Sequence, residues 1–532
     1  MHIERLTTRL RDDSLLAFPI GDHPKYSATR RHKTKGRPVY CAWRGDRRSF
    51  CHCTHYHGQN FFATLNAIVE TQAENLPHIF DDNGARPSTR LAHSDRKPAP
   101  HLDFRSFVDE LRSDNDLADI NAEVDPHLEV AAIIRRAYEV RSKAPLFNNV
   151  RGARDGLFRI LGAPGGLSHD SKYPYKCLAR HLSLPPTARL NDVIDRMLSA
   201  KGAAPIPPVH VSDGPCKEVK IFGDDIDLTR LPVPLLNKAD GGNYIQTLGI
   251  NIALGAPPIA VMAASMPLPQ GVSEAEYVGS LCGSPLELVK CETNDMCVPV
   301  NSEIVLEGTI SVKDRCKEGP FGEIQGYSFL DENSLQPLYK VSAITHRKNP
   351  ILPVCVPGRA TGPDKTHTMI GTLAAAEIKH LLQQDGLPVM NVFTPFESQV
   401  IWAAVQIDRA KLAKLSTNAN ELCNKIRNMI HRLLIVGDDI DPFRFEDVTW
   451  AFASRCRPSL DEFHFEDVPA YPLVSSMSHG IGTKVTGGKV VGNCLLPSKY
   501  KGEQGWVTCD FENGYLDDLK KRVLLRWAEF GL

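Results

Sequence analysis

From about Glu218 to Ile344 the chain reads as one strand-like run after another. The runs are Tyr244–Ile252, Pro257–Ala264, Leu286–Cys291, Glu303–Val312 and Leu338–Ile344, with Gly and Pro between them. Such runs must pair with each other, so the middle of the chain is expected to form a β-rich, barrel-like module. On either side the period changes. Phe104, Phe107, Val108 and Leu111 recur at helical spacing, and Asp125-Pro126 supplies an N-cap and a first-turn proline ahead of Leu128–Tyr138. Beyond the strands, His367–Leu382 is helical, Pro388–Phe393 and Val400–Ile407 read as strands, and Leu516–Phe530 is an amphipathic helix placed to dock on the body or on a partner subunit. The fold class expected is α/β, of the α+β kind.

A length of 532 residues leaves room for two to four domains, at roughly 100–200 residues each. The boundaries expected are 1–100, an atypical extension; 101–360, the β-rich domain; 361–385, a linking helix; and 386–532, an α/β domain. The extension stands apart by charge as well as texture. Its first 50 residues hold 12 Lys+Arg against 5 Asp+Glu, whereas the whole chain carries 62 against 63. A net charge of -1 gives no pull towards nucleic acid or membrane, and no apolar run approaches the length of a membrane span. The 14 cysteines are sparse and irregular, and no secretory leader opens the sequence. A cytoplasmic protein is expected, in preference to a mitochondrial one.

Several motifs fall short of a function. Cys51, His52, Cys53, His55 and His57 offer zinc-type ligands, but as one clump rather than two separated pairs. Gly482, Gly487, Gly488 and Lys489 imitate a phosphate loop without the Ser or Thr that should follow the lysine. Asp438, Asp439 and Asp441 precede Pro442 and read as capping aspartates at a helix start. No dinucleotide fingerprint, serine-hydrolase elbow or zincin helix is present.

The most informative stretch is Glu318-Gly-Pro-Phe-Gly-Glu323, two carboxylates around a turn whose glycines admit close backbone approach. An apolar neighbour such as Phe321 can raise a carboxyl pKa into the range of a general acid, although two solvated glutamates on a surface turn fit the same residues. Ser265 and Glu274, in the Ala263–Pro267 and Gly271–Glu274 segments, offer hard oxygen ligands for a magnesium- or manganese-type ion.

Read as a set, Asp240-Gly-Gly-Asn-Tyr-Ile-Gln-Thr247, Ala264-Ser-Met-Pro267, Lys290-Cys-Glu-Thr-Asn-Asp295, Glu318–Glu323 and Thr366-His-Thr-Met-Ile-Gly371 resemble the UbiD family, in particular its fungal ferulic and cinnamic acid decarboxylases. The resemblance runs from about His101 to Leu532. It implies a flavin-binding domain with a split β-barrel, a linker helix and a C-terminal α/β oligomerisation domain, usually dimeric. It implies prenylated FMN made by a separate prenyltransferase, with manganese at the flavin phosphate and potassium nearby. Aromatic acrylic acids would lose carbon dioxide to give vinyl products, the cofactor carrying the electronic chemistry and the protein delivering the proton.

Carried over by motif, Glu323 matches the acid that protonates the product carbon, and Glu318 its partner in a Glu-Arg-Glu network. Ala264, Ser265, Met266 and Glu274 match cofactor-binding positions, with Glu274 on manganese. Ala263, Ser265, Met266, Arg455 and Asp461 match the surroundings of potassium, and Ile370, Tyr471 and Leu473 the substrate pocket.

The chain departs from the family pattern in two places. After Gln246–Ile252 the family continues for several dozen residues before resuming near Leu254–Pro258, and here those ends are joined directly. The absent piece would carry the asparagine and histidine that complete the manganese site, and the arginine of the network. A smaller gap between Lys425 and His431 removes a lysine that meets the flavin phosphate. The alternative reading is therefore a catalytically impaired homologue, or an incomplete gene sequence, serving only as a dimerising or interaction protein.

Overall fold

The computed structural model describes residues 49–51 and 102–531, apart from 154–156, 246–251, 265–267, 269–271, 323–324, 332–333, 360–362, 364, 399, 416–429, 470–485 and 497–507. Its centre is a long antiparallel hairpin, Ile304–Glu318 against Ser334–His346. Ile252–Leu254 pairs with the first of these strands, while Val219–Phe222 and Ser49–Cys51 pair with the second. Among the described residues this five-stranded sheet is open, not a closed barrel. Twice its register shifts, between Glu307 and Gly308 and between Ile310 and Arg315, and such bulges bend the strand that carries them.

A second sheet, ordered Ile351–Val354, Arg159–Gly162, Ala144–Phe147, Leu117–Ile120, lies under the helices Phe104–Ser113 and Glu129–Glu139. The first helix buries Phe104, Phe107, Val108 and Leu111, the residues its spacing singles out, and Asp103 caps it by accepting from the Arg105 amide. The second starts later than its sequence suggests. Asp125 accepts from His127 N, Leu128 stands at positive φ, and the helix proper begins at Glu129. A three-stranded sheet of Val209–Val211, Glu287–Lys290 and Cys297–Pro299 completes the middle.

The segment Pro257–Ala264 corrects an expected strand, because Pro258–Ala263 is a short helix. Pro258 occupies its first turn, where no amide is needed, and Ile259, Met262 and Ala263 bury one face at helical spacing. Beyond it the helix Lys365–Gln384 leads into a sheet ordered Val389–Phe393, Trp402–Ile407, Arg432–Gly437, Thr486–Cys494, Glu462–Pro469, with the central pairings parallel. Leu373, Ala374, Ala375, Ala376 and Leu382 of that helix are fully buried, and it shares one core with the short helix, with Glu274–Cys282 and with the sheet's strands. Lys201 pairs with Glu377, and Lys379 Nζ lies 2.7 Å from Asp195, so the helix Leu190–Lys201 is pinned alongside it.

The C-terminal helix is Asp517–Leu525 followed by a turn at Trp527–Phe530, and Leu524, Leu525, Trp527 and Phe530 are exposed. Cys316 is disulfide-bonded, whereas nine other described cysteines are free thiols. No helix among the described residues is long and apolar enough to cross a membrane. Lys489, the lysine of the phosphate-loop imitation, sits buried inside a strand. The aspartates before Pro442 do not cap the next helix: Asp438 pairs with Arg409, Asp439 with Arg455, and Asp441 accepts from Phe443 N.

Burial beside Lys489 holds His431 neutral, with its pKa pushed down to about 4. A histidine depressed in the fold stabilises it fully above the unfolded value of about 6.5 and loses that contribution as pH falls. Stability is therefore expected to drop between about pH 6.5 and 4, and His431→Asn to flatten that stretch of a denaturation-against-pH curve. An unchanged slope would remove His431 as the cause.

Candidate active site

The far end of the long hairpin carries the paired carboxylates. Glu318 is the last residue of its strand, opposite Ser334, and is buried. Past it the chain turns through Gly319, at φ +94° and joined to Pro320 by a cis peptide, and through Phe321 to Gly322. Glu323 lies outside the described residues.

The segment Asp240–Tyr244 packs along this turn. Gly241 N donates to Pro320 O at 2.7 Å, and Gly322 N donates to Asp240 Oδ1 at 3.2 Å. The Tyr244 hydroxyl accepts from Gly319 N at 3.1 Å and donates to Pro320 O at 3.3 Å, while its ring centre lies 5.2 Å from that of Phe321. Glycine is required at 241, where a Cβ would stand 2.4 Å from Gly319 O. Two motifs separated by some 75 residues of sequence thus form one structure.

The Lys290–Asp295 segment has a structural role. Buried Glu307 accepts from Glu292 N, Thr293 N and Thr293 Oγ1 at 2.7–2.9 Å, which fixes this turn on the hairpin. Glu292 in turn pairs with Lys217 and Lys220, whose ammonium groups hold its carboxyl below the usual range. In Thr366–Gly371 the buried Thr368 donates to Gly165 O at 2.6 Å, tying the long helix to the N-terminal sheet.

The other expected site residues are dispersed. Ile370 is half-buried on the long helix. Ala263 ends the short helix, fully buried, and Ala264 follows it, exposed. Glu274 opens the helix Glu274–Cys282, is exposed, and stands next to the capping pair Ser273 and Glu276. Arg455 is buried, donates to Asp439 at 2.8 Å and stacks over Trp450. Asp461 accepts from Arg457 Nε at 2.7 Å, which holds its carboxyl below the usual range. Ser265, Met266, Tyr471 and Leu473 lie outside the described residues.

Sequence reasoning quoted Asp240 and Tyr244 inside a motif but gave them no task. The available signal was an Asp-Gly-Gly preceding an aromatic, a set suited to close backbone approach.

Three family profiles match in chain order. They are the N-terminal, Rift-related and C-terminal domains of 3-octaprenyl-4-hydroxybenzoate carboxy-lyase, over residues 108–197, 208–253 with 246–360, and 367–494. Ferulic acid decarboxylase 1 of Saccharomyces cerevisiae is 38% identical over 502 residues, covering 82% of this chain and 99% of the relative. The chain belongs to the UbiD family of carboxy-lyases. Pyrrole-2-carboxylic acid decarboxylase of Pseudomonas aeruginosa is also 38% identical, over 81% of this chain and 98% of its own.

Among solved structures, vanillic acid decarboxylase of Sedimentibacter hydroxybenzoicus in open form aligns with a TM-score of 0.65 at 24% identity, over 80% of this chain and 99% of its own. The UbiD-class enzyme HmfF of Pelotomaculum thermopropionicum, in complex with FMN, aligns at 0.62 and 23%, over 79% and 98%. These likenesses show the UbiD-class fold. The middle profile matches in two stretches that meet at 246–253, and an alignment of 502 residues that occupies only 82% of a 532-residue chain leaves several dozen positions empty here. Both findings agree with a family segment absent after Ile252.

Proposed function

We propose that this UbiD-family chain catalyses the non-oxidative, reversible decarboxylation of aromatic α,β-unsaturated acids of ferulic, p-coumaric and cinnamic type to vinyl products, with prenylated FMN. The observation that carries the reading is 38% identity to ferulic acid decarboxylase 1 along nearly the whole of that relative. The same extent supports it over the alternative of a non-catalytic dimerising homologue.

The flavin, when bound, supplies the electron uptake that lets carbon dioxide leave. The chain's own residues supply placement and a proton. Glu323, the residue after Gly322 in the sequence, would return a proton to the product carbon, with Glu318, buried at the strand end, as its partner. Ile370 of the long helix, with Tyr471 and Leu473, forms the apolar walls for the aromatic ring. Ala264, Ser265 and Met266, which match the family's cofactor-binding positions, would contact the flavin. The C-terminal domain makes a homodimer, the cofactor comes from a flavin prenyltransferase, and the enzyme works in the cytoplasm.

Manganese does not fit the described residues. Such an ion takes about six oxygen ligands, whereas Glu274 is exposed in a capped helix start, and among the described residues no three His, Cys, Asp or Glu side chains gather to hold a metal. Nor do Arg455 and Asp461 offer a potassium site, since Asp439 and Arg457 occupy them. No step is assigned to either ion.

The test is coexpression with a flavin prenyltransferase, followed by flavin absorbance of the purified chain and assay of vinyl product from ferulate, p-coumarate and cinnamate. Bound flavin and a vinyl product are expected. A chain that binds no flavin and releases no product would sink the proposal for this polypeptide.

A further inference from the structure

We propose that Cys297 and His210 form a reactive thiol–imidazole pair, and that Cys297 is a site of reversible S-thiolation by low-molecular-weight disulfides. The inference does not depend on the decarboxylase reading.

Strand register builds the pair. In the three-stranded sheet His210 stands opposite Leu288, and Cys297 opposite Lys290. Residues directly opposite each other on neighbouring strands share a face, as do alternate residues along one strand. His210, Leu288, Lys290 and Cys297 therefore lie on one face of the sheet, and Val289 and Val298 on the other. The second face is the core side, where Val289 and Val298 are buried with Cys216, Cys291, Val300 and Val305. The first meets solvent: His210 and Lys290 are exposed and Cys297 is half-buried. Across the middle strand Cys297 Sγ lies 3.6 Å from His210 Nδ1, so the thiol donates to the ring.

The other described thiols are placed differently. Cys177, Cys216, Cys291, Cys456 and Cys494 are buried, and burial pushes the thiols of Cys216 and Cys456 up to about 11 and those of Cys282 and Cys291 up to about 12. Cys355 meets the hydroxyl of Tyr138, which is no base at neutral pH. Cys509 is exposed, and among the described residues it has no hydrogen-bond partner. Cys216 and Cys291 belong to the core side of the sheet and cannot bridge through it to Cys297, so the product at Cys297 is a mixed disulfide with an external thiol.

Thiolates, not thiols, open disulfides. His210 takes the thiol proton on Nδ1, and the Cys297 sulfur attacks one sulfur of the small disulfide. A new S–S bond forms at Cys297, the reagent's own S–S bond breaks, and the departing thiolate takes its proton from the imidazolium. One disulfide is consumed and one is made, so the reagent is the only oxidant required, and excess free thiol reverses the step. Lys290 pairs with Asp295 at 2.6 Å, which offsets the charge it brings beside the sulfur and leaves His210 as the activating group.

The experiment exposes the full chain, reduced and then freed of reductant, to oxidised glutathione as wild type, His210→Ala, His210→Gln and Cys297→Ser. Each cysteine peptide is followed in time by mass spectrometry. In the wild type the Cys297 peptide is expected to gain a glutathionyl group before the Cys509 peptide, and to lose it in dithiothreitol. Both His210 variants should slow Cys297 about tenfold, because an ordinary cysteine is already a few per cent thiolate near pH 7 and that share caps what a base can add. Cys509 should keep its rate in both, and Cys297→Ser should abolish the early modification.

Modification of Cys297 no faster than that of Cys509 overturns the site. An unchanged Cys297 rate in both His210 variants overturns the pair, since exposure alone then sets reactivity. Equal slowing at Cys297 and Cys509 overturns it as well, because a general change in the fold accounts for that result.

Discussion

Glu323→Gln is expected to lower release of vinyl product by about 10²–10⁴-fold, the span a positioned general acid contributes, with bound flavin unchanged. Glutamine preserves the length of the side chain and its capacity to accept a hydrogen bond, but it has no carboxylic proton to give. The turn before it makes the comparison clean, because the hydrogen bonds that shape residues 319–322 come from backbone groups, Asp240 and Tyr244, none of which the substitution alters. Product measured by gas chromatography against flavin absorbance separates proton delivery from cofactor loading. The same loss is expected in a version with the family segment restored after Ile252. Undiminished turnover would take Glu323 out of the mechanism.

Glu303→Ala is expected to destabilise the fold by about 3 kcal/mol, the lower end of the range for breaking a buried ion pair. Glu303 is fully buried and accepts from Arg105 Nε and Nη2 at 2.9 and 3.0 Å and from Ile351 N at 2.9 Å, with Arg347 Nη1 at 3.5 Å. Removing it takes a carboxylate from two guanidiniums that keep other partners, Arg347 with Asp103 at 3.0 Å and the partly exposed Arg105 with the carbonyls of Lys348 and Asn349, which is why the lower end of the range is chosen. It also unties the N-terminal helix from the hairpin's first strand. A urea or thermal midpoint within error of wild type would show that water replaces the carboxylate without loss.

Why some of this was legible in the sequence and some was not follows from the range of the interactions. Helical periodicity found the faces of Phe104–Ser113 and Lys365–Gln384, since each buries one stripe of its own residues. The same method misread Pro257–Ala264, because a short run that is apolar on every side has no period to distinguish strand from helix, and the prolines decided it. Glu303 and Glu307 passed unnoticed inside an apolar strand. The partner of Glu303 is 198 residues away, and that of Glu307 lies across a turn. The usable hint was physical: a carboxylate amid buried β-branched residues must find donors. At the site, the two segments that meet around Gly319–Gly322 were both read as significant, but their contact depends on a sheet that brings together residues 75–82 apart.

The second shift in the hairpin has a consequence for how this protein tolerates change in length. Between the pairs Ile310 with Tyr339 and Arg315 with Pro337, residues 311–314 have no opposite number, so an added or lost residue there alters only the size of a loop. Between Arg315 and Glu318 the pairing is continuous, and one extra residue would turn Glu318 to the other side of the sheet. Parity is thus free at one point of this arm and fixed at the next. Insertions made at 311–314 should be accepted with the acid turn intact, while a single insertion three residues further on should act like a deletion of Glu318 itself.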